Sequence, residues 1–522
     1  MPTRAEASQR KSSRKSKPAK KRKLDEDSDD EDLAIGRALN ESVRPAPGQI
    51  DHCEICSKKF TVTPYSKAGP DGGLLCPSCS READKGKEPK FKKPRVYQGM
   101  ARKRKVQSRI MDRTFRLGAK DLTTLCVETL AKNVDLAEDL GELPDHLIQK
   151  IAMLLSKRRL VDPTTIQLFV KPSTEELKIY DGAKLSSHDI KHCFGVCQRL
   201  KSFEIRNGIM FKDDVMAYLQ SRKNLNLEYL SLHGANLLTD DAWKQFLTKK
   251  GKHLQTLKIY FTDKFFGDSM VDVLGKECSN LRRLALIHNQ MVTEKGVKAI
   301  GKLSKLESVS LELKNEVPNR AYRLMLEKIG NSLQVLSLRE VPKADDDVLE
   351  AIQKNCRSLK KLRITKSSMM TDDGFEELFT GWENPPLEFI DFAECRHLDA
   401  SEPQNPASGI GLCDKGFRAL MKHSGHTLRY LNIVSARYIS TATFEEVFSK
   451  DAEYPELRYL EIAFCETVTD FVVGSIFRSC PNLHELVVFG CMRVTGQARV
   501  PRGRLLIGVP NVMGMMIEGT AD

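Results

Sequence analysis

Leu227-Glu-Tyr-Leu230-Ser-Leu232, Leu254-Gln-Thr-Leu257-Lys-Ile259 and Leu281-Arg-Arg-Leu284-Ala-Leu286 repeat one phrase: an apolar residue, two variable ones, then apolar, variable, apolar. The closing alternation suits a short strand that buries one face, and recurrence at a fixed period marks a repeat array. The phrase continues at Leu306/Val309/Leu311, Leu333/Leu336/Leu338, Leu359/Leu362/Ile364, Leu387/Ile390/Phe392, Leu428/Leu431/Ile433, Leu457/Leu460/Ile462 and Leu483/Leu486/Val488. Upstream, Leu200/Phe203/Ile205 and a weaker Thr174/Leu177/Ile179 fit the same frame. From Leu200 to Leu483 the intervals between first positions are 27, 27, 27, 25, 27, 26, 28, 41, 29 and 26 residues. An α/β leucine-rich-repeat solenoid of about a dozen units is therefore expected over 169–499.

Between strands the chain carries helix openers such as Thr239-Asp-Asp-Ala-Trp243, Thr371-Asp-Asp-Gly-Phe375 and Val468-Thr-Asp-Phe471, whose Thr or Asp can cap first-turn amides. Cys197, Cys278, Cys356 and Cys480 each precede a first leucine by three residues, and Cys395, Cys465 and Cys491 follow a strand. Small, buried, apolar positions account for these seven, and the pattern is similar to the cysteine-containing repeats of F-box receptors. The 41-residue interval holds a Pro/Gly/Ser/Asn-rich insertion, 396–412, expected to loop out along one rim. Residues 500–522 read as a C-terminal cap.

The net charge of +13 is unevenly placed. Residues 1–24 hold ten Lys/Arg and one Glu, the run Asp25–Asp32 holds seven acids, and 85–120 hold fourteen Lys/Arg against two acids. The tail 1–48 has almost nothing apolar to bury and is expected to be disordered. Its cluster Lys20-Lys21-Arg22-Lys23 suits a nuclear import receptor, so a nuclear location is expected. The basic linker 85–118 can neutralise phosphates and so add salt-sensitive, sequence-independent DNA affinity, and a second import signal or a simple linker has the same composition. No apolar run is long enough for a membrane span, and no secretory signal opens the chain, so a reducing compartment is expected.

Within 49–84, Cys53-Glu-Ile-Cys56 and Cys76-Pro-Ser-Cys79 give two C-x-x-C pairs separated by nineteen residues. Four thiolates at this spacing complete a closed tetrahedral site, so a structural Zn2+ is expected. Four cysteines with only His52 nearby fall short of the roughly eight ligands of a two-zinc RING. In the helical segment 119–168, Leu122, Cys126 and Leu130 stand at i, i+4 and i+8 on one face, similar to the box by which SOCS-type receptors dock elongin C. Leu143-Pro-Asp-His-Leu147 resembles the start of an F-box or cullin box. No phosphate loop, Cys/His dyad or second metal cluster stands out, and no enzyme is expected.

The order of parts, with Cys53-Glu-Ile-Cys-Ser-Lys-Lys-Phe-Thr-Val-Thr-Pro-Tyr65 and Gly72-Gly-Leu-Leu-Cys-Pro-Ser-Cys79, resembles the fungal Rad-seven family. That resemblance implies a scaffold and substrate receptor in global-genome nucleotide excision repair. It would work with a Snf2-type ATPase that carries a RING, and within an elongin-cullin ubiquitin ligase. Leu122, Cys126 and Leu130 would hold elongin C, and damaged DNA or chromatin would be reached directly or through partners. The alternative is an F-box-type receptor that binds a Skp-type adaptor through Leu143-Pro144 and has no part in DNA repair.

Strand alternation also assigns a concave, partner-binding face. Its central stripe is basic, with Lys258, Arg283, Arg339, Lys361 and Arg363. The later repeats place Phe389, Asp391, Tyr430, Tyr459, Glu461 and Phe489 there, an acidic-aromatic stripe suited to a protein partner, expected to be the ATPase.

Overall fold

The computed structural model describes residues 50–63, 66, 67, 69, 73–84, 121–396, 409–509 and 516–519. The tail 1–48 with Lys20, Lys21, Arg22 and Lys23, the basic linker 85–118 and residues 397–408 of the insertion lie outside them.

Among the described residues, one sheet of fourteen strands runs in simple sequence order. Its first seven are β3 (Glu176–Ile179), β4 (Ser202–Ile205), β5 (Tyr229–His233), β6 (Thr256–Thr262), β7 (Arg283–Asn289), β8 (Ser308–Leu313) and β9 (Val335–Arg339). There follow β10 (Lys361–Ile364), β11 (Phe389–Asp391), β12 (Tyr430–Asn432), β13 (Tyr459–Glu461), β14 (Glu485–Val487), β15 (Leu505–Ile507) and β16 (Met516–Glu518). All neighbours are parallel except the last pair, where β16 runs antiparallel to β15. The register aligns equivalent positions: Leu230 pairs Leu257, which pairs Leu284, and the row continues through Leu336, Leu362 and Leu431 to Leu506. Parallel neighbours need crossovers, and helices such as Asp240–Lys250 and Asp346–Asn355 supply them.

The two closely spaced apolar positions of each phrase point into one continuous core shared with the helices. Leu230, Leu257, Leu336, Leu362 and Leu431 have no accessible surface. At about 1.5–3 kcal/mol per fully buried side chain, stacking these rows is the main stabilising term, and it is available only because each repeat covers the next.

Two further rows bind the repeats. Two residues beyond the second apolar strand position, the backbone turns left-handed at Asn207, Phe261, His288, Glu340, Lys366 and Phe464, with glycine at Gly234 and Gly490. Glycine takes that conformation freely, whereas a bulky ring such as Phe261 or Phe464 adopts it only when its surroundings impose it. The second row adds to the capping expected from sequence, which Thr239, Thr371 and Thr469 carry out. Thr371 caps its own helix through Gly374, but the Asp in the first turn accepts from the next repeat's cap. Asp346 receives the Thr371 amide at 2.8 Å and its hydroxyl at 2.7 Å. Asp213 does the same for Thr239 and Asp268 for Thr293. The aspartates thus tie helix to helix along the array, and the negative charge sits at two positive helix starts at once.

At the N-terminal end, α2 (Leu122–Lys132) and α3 (Asp145–Lys157) pack on the first repeat through Val127, Ala131, Ile151 and Leu155, which belong to the same core. At the other end β15 and β16 extend the sheet by two strands.

Candidate metal centre and docking surfaces

The N-terminal module is built from β1 (Ile50–His52) and β2 (Lys59–Thr61), an antiparallel pair, and the helix α1 (Pro77–Asp84). Cys53 and Cys56 lie in the turn between the strands, where the Ser57 amide donates to the Cys53 carbonyl at 2.8 Å and Ser57 is left-handed. Cys76 immediately precedes α1 and Cys79 sits in its first turn, so the helix start faces the knuckle. The four Sγ atoms lie within 4.8 Å of one another, and Cys56 and Cys76 are 3.6 Å apart. Zinc–thiolate bonds of about 2.3 Å place tetrahedral ligands roughly 3.8 Å apart, so these sulfurs are close enough to converge on one ion.

Burial pushes the Cys76 thiol up, but hydrogen bonds from Ser78, the Cys79 amide and the neighbouring thiols outweigh it and bring it down to about 6. Cys79 is driven upward by burial and by the other three sulfurs. The remaining core is small: Leu75 with Ile55 and Phe60. A module with so little to bury depends on its metal.

The Asp121 carboxylate caps α2 by accepting from the Thr124 amide at 2.8 Å. The helix buries Val127 and Ala131 and turns its other side outward. Leu122 is 76% exposed, Leu136 in the following turn is 83% exposed, and Cys126 is exposed. Together with Leu125, Thr129, half-buried Leu130 and Ala137 they line a shallow, largely apolar groove of about 600 Å³. Leu122, Cys126 and Leu130 therefore share one wall. Leu125 and Leu136 escaped the sequence reading because they fall off the i, i+4, i+8 line. By contrast Leu143, Leu147 and Ile148 around the start of α3 are half-buried against the core.

On the face of the sheet that the helices leave open, the register sets Lys258 beside Ala285 and Arg283 beside Ser308. Arg339 closes β9, and Lys361 and Arg363 follow on β10. Of these Arg283 is exposed and Lys361 half-buried, whereas Lys258, Arg339 and Arg363 are buried. Arg363 is held to Asp391 at 3.0 Å and lies over the Phe389 ring at 5.1 Å. Phe389 stacks on Tyr430 at 4.3 Å, and Tyr430 on Tyr459 at 4.7 Å, with ring planes within 10° of parallel. The Tyr459 hydroxyl donates to Glu461 at 2.7 Å. Phe489 joins Val487, Leu505, Ile507 and Met516 in continuing this apolar row.

Nearer the N-terminal end the same face holds Glu204, with Arg206 at 2.9 Å, Tyr229 at 3.2 Å and His233 at 4.0 Å. Burial opposes its ionisation, but Arg206, His233 and Lys258 more than compensate and draw it down to about 2. His233 stacks on Tyr260 at 3.7 Å, and burial followed by Arg206 takes it down to about 3. Sequence reading missed this network, because its members sit at unremarkable positions in three consecutive strands.

Residues 47–85 match the family model described as the DNA repair protein rhp7 treble clef domain. The module is thus a treble clef whose close-set Cys53, Cys56, Cys76 and Cys79 are consistent with a structural Zn2+. The chain is 27% identical over 487 residues to DNA repair protein rhp7 of Schizosaccharomyces pombe, covering 92% of this chain and 82% of that protein. It is 24% identical over 439 residues to DNA repair protein RAD7 of Saccharomyces cerevisiae, covering 79% and 74%. Among solved structures, a chain of the crystal structure of the Rad7 and Elc1 complex in yeast superposes with a TM-score of 0.60 at 23% identity, covering 75% of this chain and 98% of that one. The chain is homologous to the Rad7/rhp7 DNA repair proteins over most of its length.

Proposed function

We propose that this protein is a non-catalytic scaffold and substrate receptor in nucleotide excision repair that docks an elongin-C-type adaptor through α2 and presents the open face of its solenoid to a protein partner. The observation that carries the reading is the groove along α2, where Leu122 on the helix and Leu136 in the following turn stand largely in solvent while Val127 and Ala131 anchor the helix to the core. Exposed apolar surface of this kind, rimmed by polar residues, marks an interaction site. Two DNA repair proteins resemble the chain over most of its length, and a solved complex of one of them contains Elc1. A cullin would join through the adaptor. A Snf2-type ATPase carrying the RING would supply ATP hydrolysis and ligase activity in trans. Damaged DNA or chromatin would be reached through that partner and the basic segment 85–118, in the nucleus.

Affinity purification of the tagged full chain from nuclear extract tests this. Elongin C and a Snf2-type ATPase are expected with the wild type, and Leu122→Asp combined with Leu136→Asp is expected to lose elongin C while keeping the ATPase. Recovery of a Skp-type adaptor with neither of the two would reject the reading in favour of an F-box receptor. The inward packing of Leu143 and Leu147 supports the elongin arm over that alternative.

A further inference from the structure

The open face changes character partway along the array. At open-face positions of β6 to β10 stand Lys258, Arg283, Arg339, Lys361 and Arg363 against one carboxylate, Glu312, and between the long cations the register places Ala285, Ser310 and Ser337. These three small side chains are buried, so they form a floor with basic walls. Glu312 is turned toward the rim, where it meets His288 at 3.5 Å and Lys314 at 3.8 Å. From β11 to β15 the same positions hold no Lys or Arg. They carry Asp391, Glu461 and Glu485 beside the stacked rings and the apolar row that ends on Ile507.

We propose that the open face from β6 to β15 is a groove for an extended protein segment that is acidic at one end and bears large apolar side chains at the other. It rests on the reading of this face as a partner-binding surface and adds the partner's chemistry. Charge complementarity seats the acidic end over the Ala285–Ser310–Ser337 floor. The apolar end meets the edges of Phe389, Tyr430 and Tyr459 and then Phe489. A nucleic-acid strand fits less well on two counts. Base stacking needs free ring faces, and here each ring covers the next. A phosphate chain would also meet the Glu461 and Glu485 carboxylates over the second half, where β11 to β15 themselves carry no Lys or Arg. Strands about 4.8 Å apart make the path from β6 to β15 roughly 43 Å, or about thirteen residues of extended peptide.

The test is selection of a displayed library of random peptides about sixteen residues long, chosen to exceed that path, on the immobilised full chain. Enriched peptides should pair an Asp/Glu block with an aromatic or aliphatic block. They should lose at least tenfold in affinity on Arg283→Glu with Lys361→Glu, lose severalfold on Phe489→Ala, and be unaffected by Leu122→Asp. Circular dichroism of each variant confirms that the array is intact. Enriched peptides that lack acids yet weaken on Phe489→Ala would overturn the proposed chemistry while sparing the partner-binding face. No enrichment, peptides indifferent to all open-face substitutions, or efficient competition by a single-stranded oligonucleotide of equal length would overturn both.

Discussion

In the N-terminal module Cys53, Cys56, Cys76 and Cys79 bring four sulfurs within 4.8 Å, whereas in the solenoid nine thiols are spread through the repeats, all of them buried. Cys193, Cys278, Cys356 and Cys395 are each pushed up to about 12, burial being the leading cause, so these sulfurs remain neutral and pack as small apolar groups. Cys395 and Cys491 also direct their S–H at a backbone carbonyl of the preceding repeat, Ile364 and Ile462, at 3.2 Å. One residue type thus does opposite work. Clustered and hydrogen-bonded, it becomes a metal ligand in a module with little core. Dispersed among leucines, it fills the core itself. The fourteenth cysteine, Cys126, belongs to neither set and lies exposed in the α2 groove.

The largest expected effect separates the two regions. Chelation of zinc, or Cys76→Ser, should unfold residues 50–84, because structural zinc contributes about 10–16 kcal/mol to small modules. The thermal midpoint of the solenoid should stay within a degree or two. Limited proteolysis alongside zinc analysis reads both, and a common transition for the two regions would break the comparison.

Next in size is the ladder between helices. A Cβ at Gly374 would fall 2.2 Å from the Asp346 carboxylate, which is occupied in holding the Thr371 cap. Gly374→Ala should therefore destabilise the array by about 2 kcal/mol in urea unfolding, although alanine is intrinsically favoured in a helix by about 1 kcal/mol. A stabilised variant would show that the ladder is incidental.

The buried network around Glu204 gives the solenoid a pH response of its own. His233 has its folded value drawn down to about 3. The unfolded chain takes up the proton first, near 6.5, so the contribution is complete above that pH and is lost as pH falls toward 3. Between pH 6.5 and 4 we expect roughly 1–3 kcal/mol of destabilisation, which His233→Gln should flatten. An unchanged pH profile in that variant would remove His233 from the account.

The smallest effect concerns the thiols themselves. Cys465→Ala should cost about 1 kcal/mol as a minor cavity change. A maleimide applied to the zinc-loaded, folded chain should modify Cys126 within minutes and leave the nine solenoid thiols intact, as peptide mapping would show. Rapid labelling of Cys395 or Cys465 would contradict their burial.

The solenoid was legible because its periodic signal is local: each Leu-x-x-Leu-x-Leu phrase specifies a strand and its buried face within six residues. The zinc ligands were legible because two C-x-x-C pairs in a polar segment leave few other uses for four thiols. What escaped lies between repeats. Asp346 to Thr371 is a contact across 25 positions, and nothing in the local pattern says which helix an aspartate caps. The left-handed turn row escaped because Phe261, His288 and Phe464 are not turn formers, and their conformation is imposed by neighbouring repeats. The acidic and basic residues of the open face could be assigned to one side by alternation. The pairing of Arg363 with Asp391, which joins the two chemical halves, required the register.

Calorimetric titration of elongin C into the zinc-loaded full chain tests the central claim most directly. A one-to-one complex is expected, weakened at least a hundredfold by Leu122→Asp with zinc content and thermal midpoint unchanged. A Leu122→Asp variant that binds elongin C as tightly as the wild type would contradict it.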